Sequence, residues 1–272
     1  MNLPTSHLRA PTTSVAKTLL VIIALPFAAA WAQADGNTPT DKPSSGGFIG
    51  LGVASAASYQ GSDQQRTLGQ PIGEYRWANG VYVGGIDGLL GVELDATPQL
   101  KLGLALGMDG GRKESDSRYL AGMGDIAAKG TVNASAKIAL SEQWGVSTGL
   151  QLGAGNTGKG GLLNLGASYS FPLAAATQLS LNVGASLANS DYMQDYFGVS
   201  ANQASASGYR RYTPSAGLRD VSAGLSLNHQ INRNWMFISG VSTTRLSNSA
   251  KDSPLVRKST SQSAFASVAY SF

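Results

Sequence analysis

The sequence predicts an all-β protein: a closed antiparallel transmembrane β-barrel of about 12 strands, with short periplasmic turns and longer external loops. Three observations lead to this fold class. Apolar and small polar residues alternate in long runs, the connections between runs alternate between short and long, and the aromatic residues collect beside the short connections. Together these features are typical of barrels that cross an outer membrane.

The alternation is clear at the C-terminus. In residues 263–272, one phase holds Ala, Val, Tyr and Phe, while the other is mostly Ser. A period of two is the signature of a β-strand with two different faces. The same pattern runs through residues 100–109, 144–153 and 179–188, where the second phase is mainly Gly, Ser, Asn and Ala. Such residues suit a crowded or wet lumen, so we expect the apolar phase to face lipid.

Loop lengths separate a membrane barrel from a soluble sandwich. The alternating runs predict strands at 47–58, 67–77, 80–87, 89–96, 100–109, 126–140, 144–154, 161–171, 178–188, 219–231, 235–245 and 262–272. Connections at one end are short, as at 78–79 and 97–99. Those at the other end are mostly longer, as at 110–125 and 189–218, with the turn at 87–88 as the exception. Short periplasmic turns and long external loops are the rule for outer-membrane barrels, whereas a soluble sandwich has no reason to segregate them.

The aromatic residues agree with this orientation. Seven of them lie beside a short turn or at the C-terminus, so they should form one interfacial girdle at the periplasmic side. These are Trp77, Trp144, Phe171, Trp235, Phe237, Tyr270 and Phe272.

The composition excludes several other classes of protein. Only 13% of the 272 residues are charged, against about 25% in soluble domains. The net charge is +4 and the basic residues are scattered, which argues against a nucleic-acid partner. The chain has no Cys, so it has neither a disulfide framework nor a thiolate metal site.

The N-terminus resembles a secretory signal peptide. Basic residues precede an apolar run, and Ala30-Trp31-Ala32 is a small-residue cleavage site. We therefore predict a signal peptide at 1–32, a flexible periplasmic tail at 33–47 and the barrel at 48–272. An anchoring helix is less favoured, because the run is short and Pro26 interrupts it.

Two features of the sequence resemble parts of phosphate-binding or catalytic sites. The segment 153–160 contains G-x-G-x-x-G and nearly matches the phosphate-binding P-loop, but Gly160 replaces the Ser or Thr. Both motifs need a following helix, and here a strand is predicted to follow, so we interpret the segment as a hairpin loop. His229 is the only histidine after the signal peptide, and its phase faces lipid. We therefore predict no catalytic residue, no cofactor and no metal.

Charged residues also occur in the inward phase. Their simplest role is mutual pairing inside the lumen, and the alternative role is to line a selective pore. They are Glu74, Arg76, Glu93, Asp95, Lys101, Asp109 and Lys137.

The loop 189–218 is the longest connection and is rich in aromatic residues. It either folds into the barrel mouth as a plug or presents a partner surface. Tyr196 and Phe197 are adjacent, and leaving them exposed would forgo about 1.5–3 kcal/mol of burial for each side chain. We therefore expect this pair to pack inward and anchor the loop.

Four segments resemble the MipA/OmpV family of outer-membrane proteins. They are Tyr59-Gln60-Gly61-Ser62-Asp63, the stretch from Asp195 to Ser200 with Ala204 and Ser207-Gly208-Tyr209 following, Asp252-Ser253-Pro254-Leu255-Val256, and the ending Tyr270–Phe272. They occur in the family's order and span nearly the whole chain after the signal peptide.

The resemblance implies an outer-membrane barrel without enzymatic activity that contacts lipid. It further implies an adaptor that brings a murein transglycosylase together with a bifunctional penicillin-binding synthase. Other members of the family are linked to adhesion and to stress responses, and a small-solute pore remains the competing function. The resemblance assigns no partner-contact residues.

Overall fold

The computed structural model describes residues 44–85 and 87–272, so the predicted signal peptide and residues 33–43 of the predicted tail lie outside it. Twelve antiparallel strands form a closed barrel within this part of the chain. Each strand pairs with its neighbours along the chain, and β1 (Gly46–Ala57) closes the barrel against β12 (Thr260–Ser271). The predicted fold class is confirmed.

The strands lie within about three residues of their predicted bounds, and one of them is much shorter than predicted. The predicted strand 80–87 is only four residues long as β3 (Val81–Gly84), because Gly84 and Gly85 adopt φ angles of 79° and 93° that end it. The other strands are β2 (Gln65–Arg76), β4 (Leu90–Thr97), β5 (Leu100–Asp109), β6 (Lys129–Ala139), β7 (Trp144–Ala154), β8 (Gly160–Ala174), β9 (Thr177–Ala188), β10 (Gly217–Gln230) and β11 (Trp235–Leu246).

The outer surface of the barrel is apolar. Large aliphatic side chains that a soluble protein would bury are exposed there, and Leu51 is 73% exposed. On the closing pair of strands, Leu51 lies directly opposite Val268, which also faces outward. A continuous band of exposed aliphatic side chains is the surface expected against lipid.

The inner face carries small hydroxyl and amide side chains that bond to one another. Ser170 and Ser180 share a hydrogen bond of 3.0 Å, and Ser242 and Ser263 share one of 2.6 Å. These pairs satisfy polar groups that the narrow lumen shields from bulk water.

The two ends of the barrel differ in structure. The end at which β1 begins and β12 ends has short turns. The opposite end has longer connections that contain the helices α1 (Ser190–Phe197), α2 (Ala201–Ser207) and α3 (Asn248–Lys251), together with 3-10 turns at Glu114–Asp116 and Arg118–Leu120. In the described residues, none of these helices has the length and apolar character that a membrane crossing requires.

This arrangement predicts a labelling pattern in intact cells. Because the chain has no Cys, single replacements report cleanly. Ser115→Cys and Ser205→Cys lie in long external loops and should react with an impermeant maleimide. Glu142→Cys and Arg233→Cys, which are exposed in short turns, should react only after the outer membrane is permeabilised. The reverse pattern would invert the orientation.

Candidate functional site

The helix α1 begins and ends at defined caps. The side chain of Asn189 accepts a hydrogen bond of 2.9 Å from the Tyr192 amide, which satisfies one free N–H of the first turn. At the other end, the amide of Gly198 donates to the carbonyl of Gln194. The next helix, α2, begins with a capping box between Ser200 and Gln203. The loop 189–218 is therefore folded rather than irregular.

The apolar side of α1 packs against the inner walls at the external end of the barrel. Phe197 is completely buried and Tyr196 is 7% exposed. The surrounding cluster brings together residues from four strands, the β5–β6 loop and the β11–β12 loop: Ile126, Ala154, Leu162, Ala188, Tyr192, Met193, Leu246 and Ala250. The helix therefore lies in the mouth of the barrel.

Polar contacts bind Tyr196 to β5 and to the loop that follows it. Its hydroxyl donates to Asp109 at the end of β5 over 2.6 Å. Its carbonyl accepts from the guanidinium of Arg112 over 3.1 Å. Both contacts come from the external end of β5 and from the β5–β6 loop that follows it.

Tyr192 makes a second set of contacts one turn earlier. Its ring stacks on that of Tyr196 with 4.5 Å between centroids. Its hydroxyl accepts from Gln60 over 2.7 Å and from Arg219 over 3.0 Å, and Arg219 also pairs with Asp220. The helix is thus tied to the β1–β2 loop and to β10 as well as to β5.

The β11–β12 loop completes the assembly. The hydroxyl of Ser253 donates to the Phe197 carbonyl over 2.6 Å, and the hydroxyl of Tyr59 donates to the Leu255 carbonyl over 3.0 Å. Gly61, at a φ of 92°, lies so close to Val256 that a Cβ there would clash. Three of the segments on which the family resemblance rests therefore meet at one place, although they are far apart in the sequence.

We call this assembly the external cap: α1, α2 and α3 with the connections 58–64, 110–128 and 247–259. Its outer layer is held by Gln203, which donates to the Met123 carbonyl over 2.8 Å, and by Tyr209, which donates to the Tyr119 carbonyl over 3.1 Å. Met123, Val199 and Leu255 form a second buried cluster beneath this layer.

The glycine-rich segment at 153–160 joins the cap as a hairpin. The amide of Gly155 donates to Asp109 over 2.8 Å, and that of Thr157 donates to Asp195 over 3.2 Å. The strand β8 follows directly. Carboxylates of the protein therefore bind backbone amides of this loop, and no helix follows to support a phosphate site.

The inward charges form a paired group within the barrel, which we call the lumen charge cluster: Glu74, Arg76, Asp87, Glu93 and Lys137. Arg76 lies 2.9 Å from both Glu74 and Glu93, and Lys137 lies 2.7 Å from Asp87 and 2.9 Å from Glu93. The guanidinium of Arg76 also stacks over the ring of Tyr82. This geometry supports pairing as the role of these residues.

Three other predicted lumen charges lie outside this cluster. Lys101 and Asp95 face each other at 3.6 Å near the short-turn end, where Asp95 is exposed and Lys101 is partly exposed. Asp109 lies at the other end and belongs to the external cap. The structure therefore divides the predicted set into three locations.

Next to the lumen charge cluster, apolar side chains occupy the seam where the barrel closes. Met236, Ile238 and Ala269 are buried there, with Phe48 and Phe265 packed against them. The lumen is thus narrowed by the charged pairs and by the large apolar groups beside them.

The predicted girdle residues all lie at the short-turn end and face outward. Exposure ranges from 37% for Tyr270 to 58% for Phe272, and Phe237 is half-buried. Tyr75 and Tyr169, which the sequence analysis did not single out, extend the ring by packing against Trp77 and Trp144. Both tyrosines lie in the outward-facing phase of their strands and next to predicted girdle residues, and this position could have identified them from the sequence.

His229 also faces outward near the short turns. Its Nδ1 lies 2.8 Å from the Thr177 hydroxyl on the adjacent strand. No group of three or more metal-ligating side chains occurs in the described residues.

Burial changes the acidity of the cap tyrosines. Burial raises the pKa of Tyr59 to about 12, and the nearby Tyr209 and Asp63 add to this effect. Burial also raises the pKa of Tyr196 far above its usual range, with further contributions from Tyr192 and Asp109. Each of these groups favours the neutral form in the folded cap.

We therefore predict that the external cap loosens at alkaline pH. Because the pKa of Tyr59 is raised in the folded cap, the contribution of Tyr59 to the stability of the cap is fully present below the ordinary tyrosine pKa of about 10. This contribution is lost as the pH rises towards about 12. Limited proteolysis of the external loops across this range should show the transition. In Tyr59→Phe the transition should be shallower, because opening then releases one proton fewer.

The control is Tyr119→Phe, which changes a partly exposed tyrosine of the same cap. It should leave the steepness of the alkaline transition unchanged. An equally steep transition in Tyr59→Phe and the wild type would contradict the prediction.

Two important residues that contact the cap helix were missed by sequence reasoning. Arg112 and Arg219 are both buried or nearly so, and each donates to the aromatic helix α1. Neither lies in a recognisable motif, and only the closure of the barrel brings them beside residues some 84 and 27 positions away.

Comparisons with known proteins found a matching family model and several solved barrels. Residues 49–272 match the family model described as MltA-interacting protein MipA. No curated protein matches the chain. Among solved structures, similarity is found to an outer membrane channel from Pseudomonas putida F1 at 13% identity, with a TM-score of 0.43, covering 87% of this chain and 100% of the channel.

Two further solved structures resemble the barrel. The KdgM porin shares 10% identity with a TM-score of 0.41, covering 83% of this chain and 99% of the porin. The CymD monoaromatic hydrocarbon channel shares 9% identity with a TM-score of 0.40, covering 84% of this chain and 88% of the channel.

Proposed function

This chain belongs to the family of MltA-interacting proteins, MipA, and on that basis we propose that it is a scaffold for enzymes that synthesise and remodel murein. The barrel lies in the outer membrane. Its partners would be a murein transglycosylase and a penicillin-binding synthase, and it would have no catalytic activity of its own. Family membership is the observation that carries this proposal.

The architecture supports a scaffold more than an open channel. The external cap fills the mouth with buried aromatic groups, and the lumen charge cluster and the apolar seam narrow the interior. A protein whose work is done by its periplasmic surface has no need of an open lumen.

Murein enzymes would dock at the periplasmic end. This end presents short turns with exposed polar residues such as Asn79, Glu142 and Arg233, beside the aromatic girdle. The predicted tail at 33–47 would emerge from the same end, because β1 begins there. We assign docking to the short turns and this tail together.

The first test is capture of defined partners. The immobilised barrel in detergent should retain a purified lytic transglycosylase and a purified bifunctional penicillin-binding synthase, and it should retain both together. Exchange of the turns 140–143 and 231–234 for unrelated two-residue hairpin turns should weaken capture. A matched exchange in the external segment 155–159 should not. Equal capture by all variants, or no capture at all, would contradict the proposal.

A small-solute pore is the second candidate. Small inward residues on β8 and β9, such as Gly166, Ser168 and Gly184, leave this part of the lumen wall without bulky side chains. Planar-bilayer recordings separate the two functions. A stable and reproducible channel from the pure wild-type protein would favour transport, and its absence together with partner capture would favour the scaffold.

A further inference from the structure

Arg112 is a buried cation with unused hydrogen-bonding capacity. It lies in the β5–β6 loop and is only 5% exposed. Its Nη1 donates to the Tyr196 carbonyl over 3.1 Å, whereas its Nε and Nη2 have no hydrogen-bond partner among the described residues. Burial lowers the pKa of Arg112, but a guanidinium remains charged in proteins. Unpaired N–H groups of a buried charge are costly, so the arrangement calls for a ligand.

The two unpaired nitrogens of Arg112 form an edge that suits a carboxylate. The Nε–H and Nη2–H groups of a guanidinium lie side by side in one plane. This edge can donate two parallel hydrogen bonds to the two oxygens of a carboxylate. The third nitrogen would meanwhile keep its bond to the cap helix.

A small cavity adjoins this side chain. Its volume is about 90 Å³, and its walls are Ser58, Tyr59, Gln60, Gly111, Asp116 and Tyr196, with Arg112 itself. One water occupies about 30 Å³ of liquid volume, so the cavity suits a group of only a few heavy atoms. Gln60 is exposed at its rim and provides the side from which a solute would enter.

The wall of the cavity also discriminates between anions. Asp116 contributes a negative charge that is partly engaged by the Lys113 amide at 2.8 Å and by Arg66 at 3.4 Å. Asp116 and Asp125 act on Arg112 electrostatically, and neither forms an ion pair with it. A doubly charged phosphate would be repelled by Asp116 more strongly than a singly charged carboxylate.

We propose that the external cap binds the carboxylate group of a small solute, with the Nε–Nη2 edge of Arg112 as the recognising group. The solute is small and carries one negative charge at neutral pH. Because Arg112 also holds the carbonyl of Tyr196, a bound carboxylate tightens the contact between the β5–β6 loop and α1. Binding therefore stabilises the closed cap.

The test uses the purified full-length barrel in detergent, titrated with sodium acetate against sodium chloride at constant ionic strength. Calorimetry reports binding, and limited proteolysis reports closure of the cap. Wild type should bind acetate saturably, bind inorganic phosphate more weakly, and resist proteolysis better when acetate is present. Arg112→Lys keeps the charge but loses the planar edge, and it should weaken acetate binding at least tenfold. Arg118→Lys, at an exposed arginine of the same loop, is the matched control and should bind as wild type does.

A second variant keeps the proposal testable if Arg112→Lys does not fold. Asp116→Asn removes the negative charge from the cavity wall and should tighten acetate binding and narrow the difference between acetate and phosphate. Arginine Nε–H resonances provide a direct readout, since one of them should move on titration of wild type with acetate. Equal acetate affinity in Arg112→Lys and Arg118→Lys, tighter binding of phosphate than of acetate, or unmoved Nε–H resonances would each overturn the proposal.

Discussion

Deletion of residues 192–212 should raise the conductance of the barrel severalfold while leaving the capture of murein enzymes unchanged. The deleted segment carries Tyr196 and Phe197, whose side chains fill the external mouth. Without them, Asp109 loses the Tyr196 hydroxyl and Arg112 loses the Tyr196 carbonyl. Planar-bilayer recording measures the first effect and partner pull-down measures the second.

A milder variant checks that the effect comes from the cap and not from misfolding. Phe197→Ala removes a completely buried ring, and such truncations cost about 3–5 kcal/mol. We expect the cap to open more often and conductance to rise in the same direction as in the deletion. Ser205→Ala, on the exposed side of α2, should have no effect. Loss of pull-down with unchanged permeability in the deletion would contradict both the role of the loop and the orientation of the barrel.

Lys137→Met should destabilise the barrel by about 3 kcal/mol, as expected when one partner of a buried ion pair is removed. The ammonium of Lys137 lies between Asp87 and Glu93, and its side chain is only 17% exposed. Its removal takes away the cation that pairs with Asp87 and leaves Glu93 with Arg76 as its ion-pair partner among the described residues. Denaturant unfolding in detergent, followed by the mobility of the folded barrel on unheated gels, measures the change.

The control is Lys101→Met at the short-turn end. Its pair with Asp95 is longer, at 3.6 Å, and both side chains are more exposed, so the loss should stay below about 1 kcal/mol. Recordings of ion selectivity complete the comparison. If Lys137→Met changed selectivity but not stability, the lumen charge cluster would line a pore and would not serve mainly to tighten the barrel.

Much of the fold could be predicted because a membrane barrel is specified by local rules. Alternation sets which side chain faces lipid, and turn residues set where each strand ends, so strands such as 100–109 and 144–154 appear at their predicted positions. The short β3 was the exception. Its end depends on the backbone conformation of Gly84 and Gly85, which the apolar pattern around them does not reveal.

The external cap, by contrast, could be predicted only in part from the sequence. The sequence by itself determined that Tyr196 and Phe197 were adjacent aromatics in a long loop, and burial energy indicated an inward direction. Only the closed barrel decided that Asp109, Arg112 and Ser253 would meet them, because those contacts link residues 56 to 87 positions apart. Alternation determines the face of a strand, but it cannot determine which distant groups meet at the mouth. Those contacts follow from the register of all twelve strands around the barrel.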